Sequence, residues 1–345
     1  MHRQEIRDTV NTEVCKVNPL PRKTANNRPH ANQLLSVIIP QSMPVMAHNS
    51  AEPVIDSNPE LQSYYLSLES RLGYDYLLGG ARHFGYWEKV DTSWPFPISR
   101  ALRAMEDRVA KALDLPPGAR ILDAGCGGGT QALYLAKKYG YHILGIDIVD
   151  YHVKETARRA AKAKLPAGQV EARLMDYHHL ESLEAESFDG VYTLQTLIHA
   201  SDVDTVVKGF YRLLKPGGRI ALFEHNHDFV KDSADVLAAA LRKNTDGTAS
   251  AGIPKPQPIV LQSMLEEAGF TDVVIRDYTA NIKPMIKFFY TLVYVPWVVV
   301  SFLGLEKYFA NLVGIVAAYR HHDLWRYLAI SAMKPGGSVE RAKLT

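Results

Sequence analysis

The sequence predicts a doubly wound α/β fold: a mostly parallel, seven-stranded sheet, with a helical cap before it and an apolar insert ahead of its last strand. Three observations carry that reading. The run Ile121-Leu122-Asp123-Ala124-Gly125-Cys126-Gly127-Gly128-Gly129 is a buried strand that ends in an acid and a glycine-rich turn. Glycine is needed where a side chain would block a bulky ligand or where the backbone takes positive φ. From Arg120 onward, strand-like and helix-like stretches alternate, the pattern of helices covering both faces of a parallel sheet. A long uncharged stretch, Phe288 to Leu305, interrupts that alternation just before the final strand-like segment.

The elements follow in order. Glu60 to Arg108 precedes the sheet and holds two helical patterns around a loop, Gly79 to Trp94. It is rich in aromatics (Tyr64, Tyr65, Tyr74, Tyr76, Phe84, Tyr86, Trp87 and Trp94), which suit either a cap over a ligand crevice or a helix packed on the sheet. Arg120 to Asp123 is the first strand, and Thr130 to Lys138 the helix after it, its N-terminal amides facing the ligand. His142 to Ile148 is a second buried strand, and Val153 to Lys164 a helix with a charged outer face. Val170 to Met175 is the third strand, followed by Asp176, and Phe188 to Leu194 the fourth. Val203 to Leu214 is a helix closed by Lys215-Pro216-Gly217-Gly218. Arg219 to Glu224 is the fifth strand. Ile259 to Ala268 is a helix stopped by Gly269, and Thr271 to Asp277 is the sixth strand. Trp325 to Met333 is the seventh, broken off by Lys334-Pro335-Gly336-Gly337.

Composition narrows the partners. The chain of 345 residues is 47% hydrophobic with a net charge of +2, enough for a large core and without the basic face that nucleic acid requires. Two cysteines, Cys15 and Cys126, lie in unlike settings, so no disulfide framework is expected, and a reduced, cytoplasmic compartment fits. Met1 to Pro59 is rich in Asn, Pro, Arg, Ser and His and reads as a disordered tail. It has no secretory apolar core, and Glu5, Asp8 and Glu13 count against a transit peptide. Met46 is a plausible alternative start.

The spacing D-x-G-x-G-x-G formed by Asp123, Gly125, Gly127 and Gly129 resembles the first motif of class I S-adenosylmethionine-dependent methyltransferases. Further likenesses follow in that family's order. They are His83-Phe84-Gly85-Tyr86-Trp87, Asp147, Asp176, Phe188-Asp189-Gly190-Val191-Tyr192, and Leu213-Leu214-Lys215-Pro216-Gly217-Gly218. The resemblance covers roughly Glu60 to Pro335 and implies a Rossmann-like methyltransferase sheet. It divides the chain into a disordered tail (1–59), a helical cap (60–118), a methyltransferase domain (119–335, with a lid insert at 283–322) and a flexible tail (336–345).

The resemblance also implies S-adenosylmethionine as the cofactor. Asp147 would accept both ribose hydroxyls, Asp176 would meet the adenine amino group, and Tyr177 would lie against the ring. Ile148 and Gln195 would line the same pocket, and Tyr86 would close over the methionine end. Asp123 orients the turn or receives the cofactor's ammonium. An acid there would repel the pyrophosphate of a dinucleotide, which favours the sulfonium donor.

The layout resembles the branch holding sterol 24-C-methyltransferases and related small-molecule enzymes. It implies methyl transfer to a lipophilic metabolite, sterol-like, terpenoid or polyketide, by C-methylation, with O-methylation of a hydroxyl or carboxylate as the alternative. After the fifth strand, Phe223-Glu224-His225 keeps only the glutamate of that branch's motif, so sterol itself is not expected. Candidate catalytic residues are Glu224 and His199 as bases and Tyr76 as an aromatic face for a developing cation. His225-Asn226-His227-Asp228 has no second ligand cluster, and no metal is expected.

The insert is uncharged over Phe288 to Leu305 and again over Tyr308 to Tyr319. Sheet strands lie on both sides of it, so one crossing would split the sheet across a bilayer. The second stretch reaches only ~18 Å as a helix, short of a ~30 Å core. A lid over a lipophilic pocket is expected, with peripheral membrane contact through 288–319.

Overall fold

A computed structural model of the chain describes residues 54–56, 59–89, 97–227, 258–323 and 325–336. The expected N-terminal tail lies outside the described residues up to 53, as does nearly all of the tail at 336–345; Cys15, Met46, Trp94 and Asp228 also lie outside. The cap begins with α1, Pro59–Leu66, whose first-turn proline forfeits no helical hydrogen bond. Next, α2, Leu68–Arg71, widens into a π-helical turn, Leu72–Leu77, closed by the Leu78 N–H on the Gly73 carbonyl at 3.3 Å. Residues 79–89 form a loop, and α3, Ile98–Leu113, buries Leu102, Met105, Val109 and Leu113 along one face.

Seven strands make one sheet: β1 Arg120–Ala124, β2 His142–Asp147, β3 Val170–Leu174, β4 Phe188–Leu194, β5 Leu214–His227, β6 Thr271–Asp277 and β7 Trp325–Met333. Their order is β3-β2-β1-β4-β5-β7-β6, as expected of a Rossmann-like methyltransferase sheet. Strands β1 to β5 are parallel, and β7 runs antiparallel to both of its neighbours. The connecting helices are α4 Thr130–Tyr139, α5 Asp150–Lys162, α6 Val203–Leu213 and α7 Pro258–Glu267. Between β6 and β7 stand α8 Thr279–Phe302 and α9 Ala310–Arg320.

Period-two alternation splits the core between the two faces. Ile121, Ile143, Tyr192 and Ala221 pack with Met105 of α3 and Leu135 of α4. Leu122, Leu144, Val191 and Ile220 pack on the other side with Phe210 of α6 and Leu265 of α7. Each Leu, Ile, Val, Phe or Met among them contributes ~1.5–3 kcal/mol when buried. Strand order reverses on either side of β1, so the carboxyl ends of β1 and β4 open into a crevice.

Two elements run longer than the sequence suggests. Strand β5 extends to His227 because its antiparallel register with β7 continues to Trp325. Helix α8 begins at Thr279, well before the apolar run, because Ile282, Met285 and Ile286 in its first turns are buried against the domain.

Candidate active site

A cavity of about 460 Å³ opens at the carboxyl ends of β1, β2, β3 and β4, within the ~300–1,000 Å³ usual for small-molecule sites. Its floor is the turn after β1. Gly125 has φ 95°, and a Cβ there would stand 2.5 Å from Thr196. The Gly127 N–H donates to Asp147 Oδ2 at 2.9 Å, which ties the turn to the tip of β2.

Asp147 Oδ1 accepts the Val149 N–H at 2.9 Å and lies 3.2 Å from His152 Nδ1. Burial raises this carboxyl, but His152 and the two amides outweigh it, so the group sits below the usual carboxylate range. An ionised carboxylate offers about four acceptor sites. Three are engaged, which leaves acceptor capacity toward hydroxyls in the cavity. Ile148 adds an apolar wall beside it.

At the tip of β3, Asp176 Oδ1 accepts the His178 N–H at 2.9 Å and faces His178 Nδ1 at 2.7 Å, while Oδ2 accepts the Asp56 N–H at 3.1 Å. Burial raises its carboxyl and His178 lowers it further, again leaving it below the usual range. The Tyr177 hydroxyl donates to the Thr196 carbonyl at 3.0 Å, which holds the Tyr177 side chain at the cavity wall. Past β4, Gln195 also lines the cavity, in a left-handed conformation with φ 61°, and its Nε2 donates to the Tyr327 hydroxyl at 3.0 Å.

The far wall comes from the cap. Arg82 lines the cavity, and its Cδ lies 3.1 Å from where a Cβ on Gly127 would stand. Its guanidinium sits over the rings of Tyr74 and Tyr65, at 5.0 and 5.6 Å from their centroids, and its Nη2 faces Asp75 at 3.5 Å. Nε and Nη1 are buried and have no hydrogen-bond partner. The Tyr65 hydroxyl lies 3.2 Å from His199 Nε2, and its ring meets His152 edge-on at 5.1 Å. Burial drives the Tyr65 phenol well above its ordinary value, so it remains an O–H donor.

Eight of the residues singled out from the sequence therefore converge on one cavity: Gly125, Gly127, Asp147, Ile148, Asp176, Tyr177, Gln195 and His199. Five do not line it. Asp123 is wholly buried behind the turn beside Tyr192 and Gln131, and burial pushes its carboxyl up to about 7. Gly129 is the N-cap of α4, where a Cβ would stand 2.5 Å from Thr156. Tyr86 points away over α3, packed edge-on against Tyr278 at 5.0 Å beneath the Arg108 guanidinium. Tyr76 lies on the outer side of the π-helical turn, 81% exposed. Glu224 is tied down: its Oε1 accepts the N–H groups of Thr196 and Leu197 at 3.2 and 3.1 Å, so it positions the turn after β4. The insert 283–322 also supplies no described residue to the cavity wall. It braces the cap instead: Met285 Sδ accepts the Gly85 N–H, and Asn311 bonds Tyr64 and Ser70.

Sequence reasoning passed over Arg82, Tyr65, His152 and Thr196 as site residues. Arg82 directly precedes the quoted His83-Phe84-Gly85 run, and only its neighbour marked it.

The residues fit a cofactor that joins a nucleoside to an amino acid. Two acids at strand tips would meet the sugar and base, a glycine cradle gives close approach, and a guanidinium whose Nε and Nη1 are still without partners suits a carboxylate. Comparison with known proteins agrees. A methyltransferase-domain family matches residues 122–222. An S-adenosyl-L-methionine-dependent Diels-Alderase of Talaromyces variabilis is 41% identical over 80% of this chain and 94% of its own length. A second Diels-Alderase so described, from Neonectria sp., is 45% identical over 64% of this chain and 86% of its own. An O-methyltransferase of Penicillium expansum is 34% identical over 62% and 74%. The crystal structure of the four-plus-two cyclase SpnF superposes with a TM-score of 0.64 at 22% identity, covering 83% of this chain and all of that one, a likeness of fold.

Proposed function

This chain belongs to the class I S-adenosylmethionine-dependent methyltransferases, with S-adenosylmethionine as cofactor, and from that premise we propose that it closes a ring in a lipophilic small molecule by Diels–Alder cycloaddition. The observation that supports this reading is the extent of likeness to the two Diels-Alderases, over 94% and 86% of their lengths.

The wall beside the cofactor agrees with it. Cycloaddition moves no proton: two carbon–carbon bonds form from the π pairs of a diene and an alkene, and nothing leaves. Such a site needs shape and hydrogen-bond donors, and it needs no general base. Tyr65 offers a protonated phenol and His199 a second polar group 3.2 Å from it. A donor on a carbonyl conjugated to the alkene lowers the barrier, and confinement of both ends in one geometry supplies the rest. When bound, the cofactor would supply a sulfonium charge and, for methyl transfer, the methyl group. Alkene C-methylation would need a base to remove a proton from the resulting cation; Glu224 is committed to two backbone amides, which leaves His199 for that role. Methyl transfer to a hydroxyl is the second reading, supported by the likeness to an O-methyltransferase and by His199 as base.

The test is a product analysis. A lipophilic substrate with a conjugated diene and an alkene, incubated with the chain and S-adenosylmethionine, is expected to give a cyclic product of unchanged mass and no S-adenosylhomocysteine. A product heavier by one methylene unit, with stoichiometric S-adenosylhomocysteine, would replace cycloaddition with methyl transfer.

A further inference from the structure

Beyond the cavity, α8 and α9 carry an exposed apolar surface. The first turns of α8 are buried, but the rest of the helix emerges: Leu292, Val295, Val299 and Phe302 are 52, 68, 53 and 88% exposed. Their spacing places them on one helical stripe. Leu303 and Tyr308 continue the exposed apolar tip into the turn toward α9. Among the described residues, α8 alone is long and apolar enough to cross a membrane, with a mean hydropathy of 1.6 over its best window. It cannot cross once and leave the fold intact, because β6 and β7 at the two flanks of the hairpin pair with each other.

Aromatic side chains and Arg320 lie along the hairpin between its buried base and this tip. Tyr290 stacks on Tyr319 at 4.0 Å, and Tyr294 stacks on Trp297 at 5.9 Å. The Arg320 guanidinium lies 4.5 Å from the Trp297 ring centroid. Tyr and Trp collect where hydrocarbon meets headgroup, because one end of each ring is apolar and the other polar. Across 279–322 the sequence has four basic residues, Lys283, Lys287, Lys307 and Arg320, against one acid, Glu306. That excess complements an anionic lipid surface.

We propose that the α8–α9 hairpin is a monotopic membrane insert that seats its apolar tip in the headgroup–acyl boundary of an anionic bilayer, with Tyr290, Trp297 and Arg320 at headgroup level. The helix beyond Trp297, to Phe302, is ~8 Å long, enough to dip in and too short to span a ~30 Å core. A second copy of the chain fits this face worse. A two-fold dimer through this hairpin would set its excess positive charge against itself. The tip also connects with the cap, since Asn311 of α9 bonds Tyr64 and Ser70, and Tyr65 next in sequence lines the cavity. An apolar substrate dissolved in the bilayer would thus reach the molecule on its cap side. This surface does not depend on which reaction the cavity performs.

The test is co-sedimentation of the full chain with vesicles of phosphatidylcholine alone or with about 30% phosphatidylserine. The wild type is expected to sediment with the anionic vesicles and to leave them on carbonate washing. The double variant Val295→Glu/Phe302→Glu, checked for unchanged S-adenosylmethionine affinity, is expected to bind at least ~10-fold more weakly. Wild-type protein that stays in the supernatant would overturn the proposal, as would equal binding by the variant. Retention after carbonate would replace the insert with a true span. A wild-type dimer that the double variant converts to monomer, with no vesicle binding, would assign the face to a second copy.

Discussion

The strand tips and the α8–α9 hairpin are built on opposite terms. At the tips, each carboxylate is committed: Asp147 accepts the amides of Gly127 and Val149, Asp176 those of His178 and Asp56, and Glu224 those of Thr196 and Leu197. On the hairpin, Val295 and Phe302 face outward with no polar partner to fix them. A polar ligand is held by directional bonds, which require particular atoms at particular places. An apolar partner is held by area, to which many side chains contribute interchangeably. The cap stands between the two regions, its Arg82 and Tyr65 turned to the cavity and its Tyr64 and Ser70 to α9.

The severest way to break this contrast is Asp147→Ala. Hydrogen bonds to a charged group are worth ~1.5–3 kcal/mol each, so losing two ribose contacts should weaken S-adenosylmethionine binding by about 100-fold or more. Vesicle binding through the hairpin should not change. Calorimetry checks the first and sedimentation the second. Unaltered cofactor affinity would show that the tips do not grip the ribose.

That asymmetry also explains what the sequence made legible. Asp147 could be read because it ends a buried strand, and Asp176 because it follows the tip of the next one, places where an acid has few reasons to sit other than a ligand or an amide. Gly125 and Gly127 could be read because a Cβ is excluded there. The start of β6 and the end of β7 fell where Gly269 and Pro335-Gly336 put them, since Pro and Gly mark chain reversal locally. Arg82 and Tyr65 were not legible as site residues. They reach the cavity only because the cap folds back over the β1 turn, a contact between segments far apart in sequence. Tyr76 and Tyr86 failed for the same reason, since aromatic residues in a cap are alike in sequence and only the path of the π-helical turn sorts Tyr65 from Tyr76. Glu224 lies on β5, three residues short of its end at His227, but the amides of Thr196 and Leu197 that engage it belong to the turn after β4.

A smaller and sharper effect is expected at Arg82, where the cap meets the tips. Arg82→Ala should weaken S-adenosylmethionine by about 10-fold, through loss of a charge-assisted contact to the cofactor's carboxylate. 5′-Methylthioadenosine, which lacks that carboxylate, should bind the variant and the wild type alike. Equal losses for both ligands would mean that Arg82 only props up the Tyr65–Tyr74 pair.

The mildest effect concerns pH and separates the two regions by stability. Asp123 and Glu224 are buried, and burial pushes each carboxyl up to about 7 from ordinary values of 3.8 and 4.5. Between those values and about 7, the folded chain keeps protons that the unfolded chain has released. Stability therefore falls as pH rises through that window. Below it, the depressed carboxyls of Asp147 and Asp176 act in the opposite sense, their contribution being lost as they protonate in acid. The cofactor-free protein should thus lose on the order of 5 °C in melting temperature between about pH 5 and pH 8. Asp123→Asn, which is neutral throughout, should flatten that decline. Val295→Glu/Phe302→Glu should leave its shape unchanged, because an exposed carboxylate titrates alike in the folded and unfolded chain. A decline that Asp123→Asn leaves intact would move the pH dependence away from the turn and onto Glu224, whose protonated form would then hold the segment between β4 and α6 in place.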